Sequence, residues 1–345
     1  MPILHKQVLP VRRAPSTRTQ QPDAPYPRAK FGWHRGHGPF GSTTVQFGVI
    51  SVDCLAALDH LIWLRTGQRA AEALDCVQPT ISRNSRKCLD VFDLTLERSR
   101  GEWRLRGDMQ LLNLERQVHQ QLRWSRNHTL RLEAQHWSAP GLEGVDLPDW
   151  RRGNFNQLDY EQPLALLQQG VIDAWICSAP DAPVQSGLSA LRLTTMPMHL
   201  MVPCGHPLAE RRGAIPWDDL LAYPVLPLPS GAFPVFEAVL KRCSLLPCPE
   251  REQAMRAAPW WGQRPLEDLL IGYSSPLTLH LYGESWVRLD QTLPVQVGDV
   301  LMVRDAYREH PRTLALWRQL IDHLSTLAAN HPEVVIHRDP VPYVV

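Results

Sequence analysis

The run Gln78-Pro79-Thr80-Ile81-Ser82-Arg83-Asn84, followed by Arg86 and Lys87, holds the side chains with the most specific chemistry in this chain. Wound as a helix, Ile81, Cys88 and Leu89 fall on one face with Ser85 between them, and Thr80, Arg83, Asn84 and Lys87 fall on another. Proline is tolerated in a first helical turn, so Pro79 suits the start of that helix. Guanidinium groups pair with guanine through two hydrogen bonds, and short hydroxyls reach phosphate oxygens. Gln78, Pro79, Thr80, Ser82, Arg83, Asn84, Arg86 and Lys87 are therefore candidate DNA contacts for a helix entering a major groove. The plainer alternative is a solvated helix face.

The elements that must position this helix lie on either side. Leu55, Leu58 and Ile62 predict an amphipathic helix ending at Gly67. Ala70 and Ala71 predict a second helix with a surface small enough for close crossing, and Asp75-Cys76-Val77 a tight turn. Beyond the run, Leu94 to Leu105 carries Arg98, Arg100 and Arg104 around Gly101, a pattern for a two-stranded wing whose arginines hold the DNA backbone. Residues 51–107 contain nine Lys/Arg and eight Asp/Glu, but seven of the nine cations follow Ser82. The charge is polarised toward the helix and the wing. Residues 108–130 predict one helix in which Leu111, Leu114, Val118 and Leu122 form an apolar stripe. That stripe suits a coiled-coil-like pairing of two copies; a plain amphipathic helix packed on the body is the alternative.

From about residue 130 strands and helices alternate, which predicts a mainly parallel sheet. Leu164–Gln169 reads as a helix capped by Gly170. Residues 174–177, 198–202, 224–228 and 299–303 read as strands, and Asp218–Leu221 and 231–244 as helices. Leu314, Trp317, Leu320, Ile321, Leu324 and Leu327 define a last amphipathic helix, and 331–345 reads as a loose tail.

Bulk properties bound the function. The chain has 345 residues, 44% of them hydrophobic, and a net charge of +1, so nucleic-acid contact must come from a local patch. Seven scattered cysteines without a Cys-x-x-Cys pair argue for a reducing compartment and against a zinc ribbon. No apolar run approaches the roughly 18 residues of a membrane span, and a cytoplasmic location is expected. No Gly-x-Ser-x-Gly, phosphate loop or His-Glu-x-x-His occurs, so neither catalytic residues, a metal nor a cofactor is expected. His206 reads as structural, and Trp260-Trp261 as packing or an oligomer contact rather than effector stacking. The first 46 residues are proline-rich and basic, with seven Lys/Arg against the single acid Asp23 by residue 44. They read as a disordered tail or as translation from a start codon upstream of the true one, with Val45, Val49 or Val52 as starts, and the sharper alternative is a basic arm adding nonspecific phosphate contacts; His34 and His37 there read as solvated.

In order and spacing these pieces resemble the LysR-type transcriptional regulators. The N-terminal signature is Ala70-Ala71, Leu74 and Gln78-Pro79-Thr80-Ile81-Ser82-Arg83, then Glu97-Arg98 and Leu105. The C-terminal one is Leu167-Gln168-Gln169-Gly170-Val171-Ile172-Asp173, then Met201-Val202-Pro203, His206-Pro207-Leu208-Ala209 and Asp218-Asp219-Leu220. The resemblance implies an α+β multidomain protein: a winged helix-turn-helix (47–107), a linker and dimerisation helix (108–130), and an α/β two-lobed effector domain like a periplasmic binding protein (131–330). Lobe one would take 131–203 and 304–330, and lobe two 210–300. It also implies a dimer or tetramer on a palindromic promoter site and a small-molecule effector, expected to be a small organic acid or metabolite. Ligands of open α/β sheets bind at the carboxyl ends of strands, which nominates Ser138, Cys177, Ser178, Ser230, Gly231, Tyr273 and Ser274. Ser230 precedes a helix whose N–H groups could hold a carboxylate; the plainer reading makes each serine a cap or loop residue. The loop before Ala70 is shorter than in the family and the wing departs from it. That motivates a second reading, a ligand-binding module whose helix-turn-helix no longer reads DNA.

Overall fold

The computed structural model describes residues 50–99, 101–126, 128–157, 160–228, 231–246, 269–279 and 285–343. Arg100, Ser230, Trp260 and Trp261, His34 and His37, and the proposed starts Val45 and Val49 lie outside these residues. Residues 47–345 form one compact unit.

Three helices open the described chain: α1 (Val52–Leu64), α2 (Gly67–Ala73) and α3 (Gln78–Val91). α1 stops three residues before the predicted Gly67, because Arg65 turns left-handed (φ 67°) and Thr66 caps α2 through the Arg69 N–H. Ala70 and Ala71 are buried against Ala57 and Ile81, the close crossing their size permits. The wing is a hairpin of β1 (Thr95–Ser99) and β2 (Glu102–Arg106), with Gly101 at φ +87° in its turn.

α4 (Gln110–Ser125) follows. Its buried face is Leu112, Arg116, Gln120, Arg123 and Trp124, while Leu111, Leu114, Val118 and Leu122 are 67%, 58%, 56% and 39% exposed. The usual amphipathic order is inverted: the helix packs on the body through its charged face and offers its apolar face to solvent.

The remaining chain is β3 (Leu130–Ala134), β4 (Trp150–Arg152), α5 (Glu161–Gln168), β5 (Ala174–Ala179), β6 (Leu188–Arg192), β7 (Thr194–Pro203), α6 (Trp217–Leu221), α7 (Pro234–Arg242), β8 (Gly272–Ser274), β9 (Trp286–Arg304), α8 (Pro311–Leu327) and β10 (Val335–Ile336). Strand order is β10-β7-β9-β5-β3-β4, with β6 beside β9 and β8 beside β7. Among the described strands β3 pairs in parallel with β4 and with β5, while β5, β6 and β7 all pair antiparallel with β9. The predicted mainly parallel sheet is thus mixed. β7 and β9 are long strands that need no helical crossover between them, so helix–strand alternation fails as a guide there. The predicted strand near 224–228 reduces to a bridge between Val225 and Ile271. The C-terminal stretch is pinned rather than loose: β10 pairs with β7, and the Tyr343 hydroxyl donates to the Pro180 carbonyl at 2.7 Å.

Both faces of the central strands are covered. Ala174 and Ile176 pack with α8 and the second lobe, whereas Trp175 and Cys177 pack with α1, α4 and α5. Asp59 of α1 sits between Arg116 of α4 at 2.9 Å and Arg131 of β3 at 3.5 Å. Asp173 accepts two bonds from Arg123, both 2.9 Å, one from Gln120 and one from the Arg131 amide. Trp63 donates to Glu133 at 2.8 Å, and Trp124 stacks on Tyr307 with ring centroids 4.4 Å apart. Burial and the neighbouring Arg123 pull the Arg131 guanidinium down to about 9, so it stays charged at neutral pH, while burial holds His60 well below its ordinary range and neutral.

Candidate functional site

The helix-turn-helix presents the residues expected of it. Ile81, Ser85 and Cys88 are buried, and Gln78, Pro79, Ser82, Arg83, Arg86 and Lys87 are exposed on the other side of α3, with Thr80 and Asn84 partly covered. The wing arginines are more committed. Arg98 lies over the Trp103 ring, its guanidinium carbon 5.4 Å from the centroid, and Arg104 is 3.5 Å from Glu161.

The nominated effector residues divide by strand geometry. Successive side chains of a strand point to opposite faces. On β5, Ser178 lines a cleft between the two lobes, but Cys177 turns into the core beside Trp175, where burial pushes its thiol well up. On β8, Tyr273 lines the cleft while Ser274 turns away and donates to the Ser275 carbonyl. Cys177 and Ser274 are therefore corrected. Ser138 is buried behind the cleft, its hydroxyl 3.1 Å from that of Ser178. Gly231 is exposed outside the cleft and donates its amide to Glu237.

The cleft opens to solvent, and the empty space within it and its open mouth together is about 770 Å³. Its walls are apolar and aromatic: Trp137, Tyr160, Phe233 and Phe236 among them. Tyr160 meets Phe233 edge-on at 5.6 Å, and Phe236 meets Tyr273 edge-on at 5.4 Å. Gly298 sits where β9 passes from β7 to β5; a Cβ there would collide with the Thr194 carbonyl. That close approach delivers Asp299 to the cleft. The Asp299 amide donates to the Thr194 hydroxyl at 2.8 Å, and that hydroxyl donates to the Asp299 carboxylate at 3.3 Å. Burial raises the Asp299 carboxyl to about 6, against opposing bonds from Ser138 and Thr194.

Asp181, just after β5, reaches across to the N-terminus of α7. Its two carboxylate oxygens accept the Val235 and Phe236 amides at 2.7 and 3.1 Å. The helix N-terminus expected to hold a ligand carboxylate is thus filled by a carboxylate of the chain itself. Sequence reasoning missed Asp181 and Asp299 because neither belongs to a recognisable motif and both act through long-range packing.

Residues 154–255 match the model of the LysR substrate binding domain. Among solved structures, full-length OxyR from Pseudomonas aeruginosa aligns with a TM-score of 0.47 and 18% identity, over 81% of this chain and 95% of that one. OxyR from Corynebacterium glutamicum aligns with a TM-score of 0.43 and 15% identity, over 82% and 97%. No curated protein matches the sequence. The match covers residues 154–255, which include the cleft wall from β5 to α7, and over that stretch the chain is similar to the substrate binding domain of the LysR family.

Proposed function

We propose that this LysR-type protein is a sequence-specific DNA-binding regulator whose cleft takes a small-molecule effector. The observation that carries the reading is the outward face of α3, where Gln78, Ser82, Arg83, Arg86 and Lys87 stand exposed over a buried Ile81, Ser85 and Cys88. In this reading residues 47–107 bind DNA, 108–130 pair two copies, and 131–330 bind the effector. Two α3 helices then reach successive half-sites of a palindrome. The effector acts only through its different affinity for two arrangements of the lobes. The engaged wing arginines favour a second reading, a ligand-binding module that no longer reads DNA.

Selection of bound genomic fragments by purified protein, repeated with Arg83→Ala, separates the two. A dyad-symmetric motif lost in the variant is the expected result. Losing one two-pronged guanine contact costs about 1–3 kcal/mol of discrimination. A folded protein that enriches no motif, with or without small molecules added, establishes the second reading instead.

A further inference from the structure

If the cleft is the effector site, as proposed above, its chemistry is unlike that of a carboxylate receptor. Asp299 lies on the cleft, and only 7% of it is exposed. Its fixed partners are the hydroxyls of Thr194 and Ser138, which are neutral. The lining residues include a second carboxylate, Asp181, and no Lys, Arg or His among the described residues. A ligand carboxylate placed there would meet like charge in a low-dielectric setting, and such pairs are strongly disfavoured. The α7 N-terminus offers it no relief, since Asp181 already holds the Val235 and Phe236 amides.

Two positive features point the other way. Aromatic rings attract cations over their faces, and Trp137, Tyr160, Phe233 and Phe236 line the cleft. The Tyr273 hydroxyl is buried on the cleft with no hydrogen-bond partner among the described residues, on a residue only 6% exposed. A buried hydroxyl left without a partner costs free energy that a ligand can recover.

We infer that the cleft receives a protonated amine carried on an aromatic or similarly flat apolar body, its ammonium group at Asp299 and a polar group of the ligand at the Tyr273 hydroxyl. Asp299 is the residue that sets the ligand class, and Asp181 keeps the competing anion cradle closed.

The test is calorimetric titration of the full chain at neutral pH with 2-phenylethylamine and with its acid counterpart, 3-phenylpropionate. The amine is expected to bind and the acid not. Asp299→Asn, isosteric but uncharged, is expected to weaken the amine at least about tenfold, the ratio expected when a charge-assisted bond becomes a neutral one. Thermal unfolding of the variant checks that it folds. Met198→Trp, which fills the cleft, is expected to abolish the heat. Acid binding as tight as amine binding, or an amine affinity indifferent to Asp299→Asn, overturns the ligand class. If that acid binding is lost in Met198→Trp, the effector cleft survives and only the amine assignment falls. If binding of either probe is indifferent to Met198→Trp, the cleft reading falls as well. Silence from both probes up to ~10 mM, beyond the weakest useful affinity, also overturns the amine assignment.

Discussion

At the scale of single residues, one carboxylate carries a stability signature. Asp299 has an ordinary value of 3.8 and is raised to about 6 by burial. The folded state therefore prefers the protonated acid. Its contribution to stability is complete below about 4 and is lost as the pH rises through about 6. Asp299→Asn removes this dependence. The variant is expected to gain stability relative to the native chain between about pH 4 and 6, levelling off above that at up to ~3 kcal/mol. Denaturant unfolding at several pH values measures it; a difference that does not change with pH refutes the raised carboxyl. The residues of the cleft also show where the sequence was legible. The strand β5 was readable from its apolar run at 174–177, and it does carry a cleft residue, whereas β8 was not read as a strand. Naming adjacent pairs on one strand, Cys177 with Ser178 and Tyr273 with Ser274, could not succeed, because the two members of each pair point to opposite faces. Which member faces the cleft depends on which side the second lobe packs, and that is decided by β7 and β9 far along the chain.

At the scale of elements, α4 sets the sequence pattern against the packing. The stripe at Leu111, Leu114, Val118 and Leu122 was legible, although the helix predicted over 108–130 stops at Ser125 and Leu130 already opens β3. What the pattern could not show is that Arg116, Gln120 and Arg123, which read as solvent residues, would be buried at 1%, 0% and 8% exposure. Their partners, Asp59 and Asp173, lie about fifty residues away on either side in sequence, and only the folded topology brings them together. The consequence is a helix already anchored by its polar face, with its apolar face available to a second copy. Leu114→Glu should therefore leave the fold nearly unchanged, within ~0.5 kcal/mol for an exposed position. The same change should raise the dimer dissociation constant at least about tenfold if the stripe is the pairing seam. Sedimentation velocity over a concentration series reads the second effect and thermal unfolding the first. An unchanged sedimentation profile removes the stripe from the interface.

At the scale of the whole molecule, the N-terminal helices and the sheet share a core. α1 contributes Leu55, Leu58 and Trp63 to the same cluster as Trp175, Cys177, Val300 and Met302. A shared apolar core holds two parts together without fixing their register; the buried ion pairs do that, because each charge tolerates only its partner. Breaking a buried pair by removing one member leaves an unpaired charge and typically costs about 3–5 kcal/mol. Asp59→Ala strips both Arg116 and Arg131 of their α1 partner. The expected outcome is a melting midpoint lowered by on the order of 10 °C for a chain of this size. It should remain one transition, with hydrogen-exchange protection falling together in α1 and in β5. Were α1 to α3 to lose protection alone while β5 kept its own, the helices would be an independently stable module. Under the proposed function, a change in the lobes would then have to reach α3 through α4 only. If protection falls together, the Asp59–Arg131 contact gives the cleft a second and shorter route, since β3 carries Arg131 and leads directly to Ser138 behind Asp299.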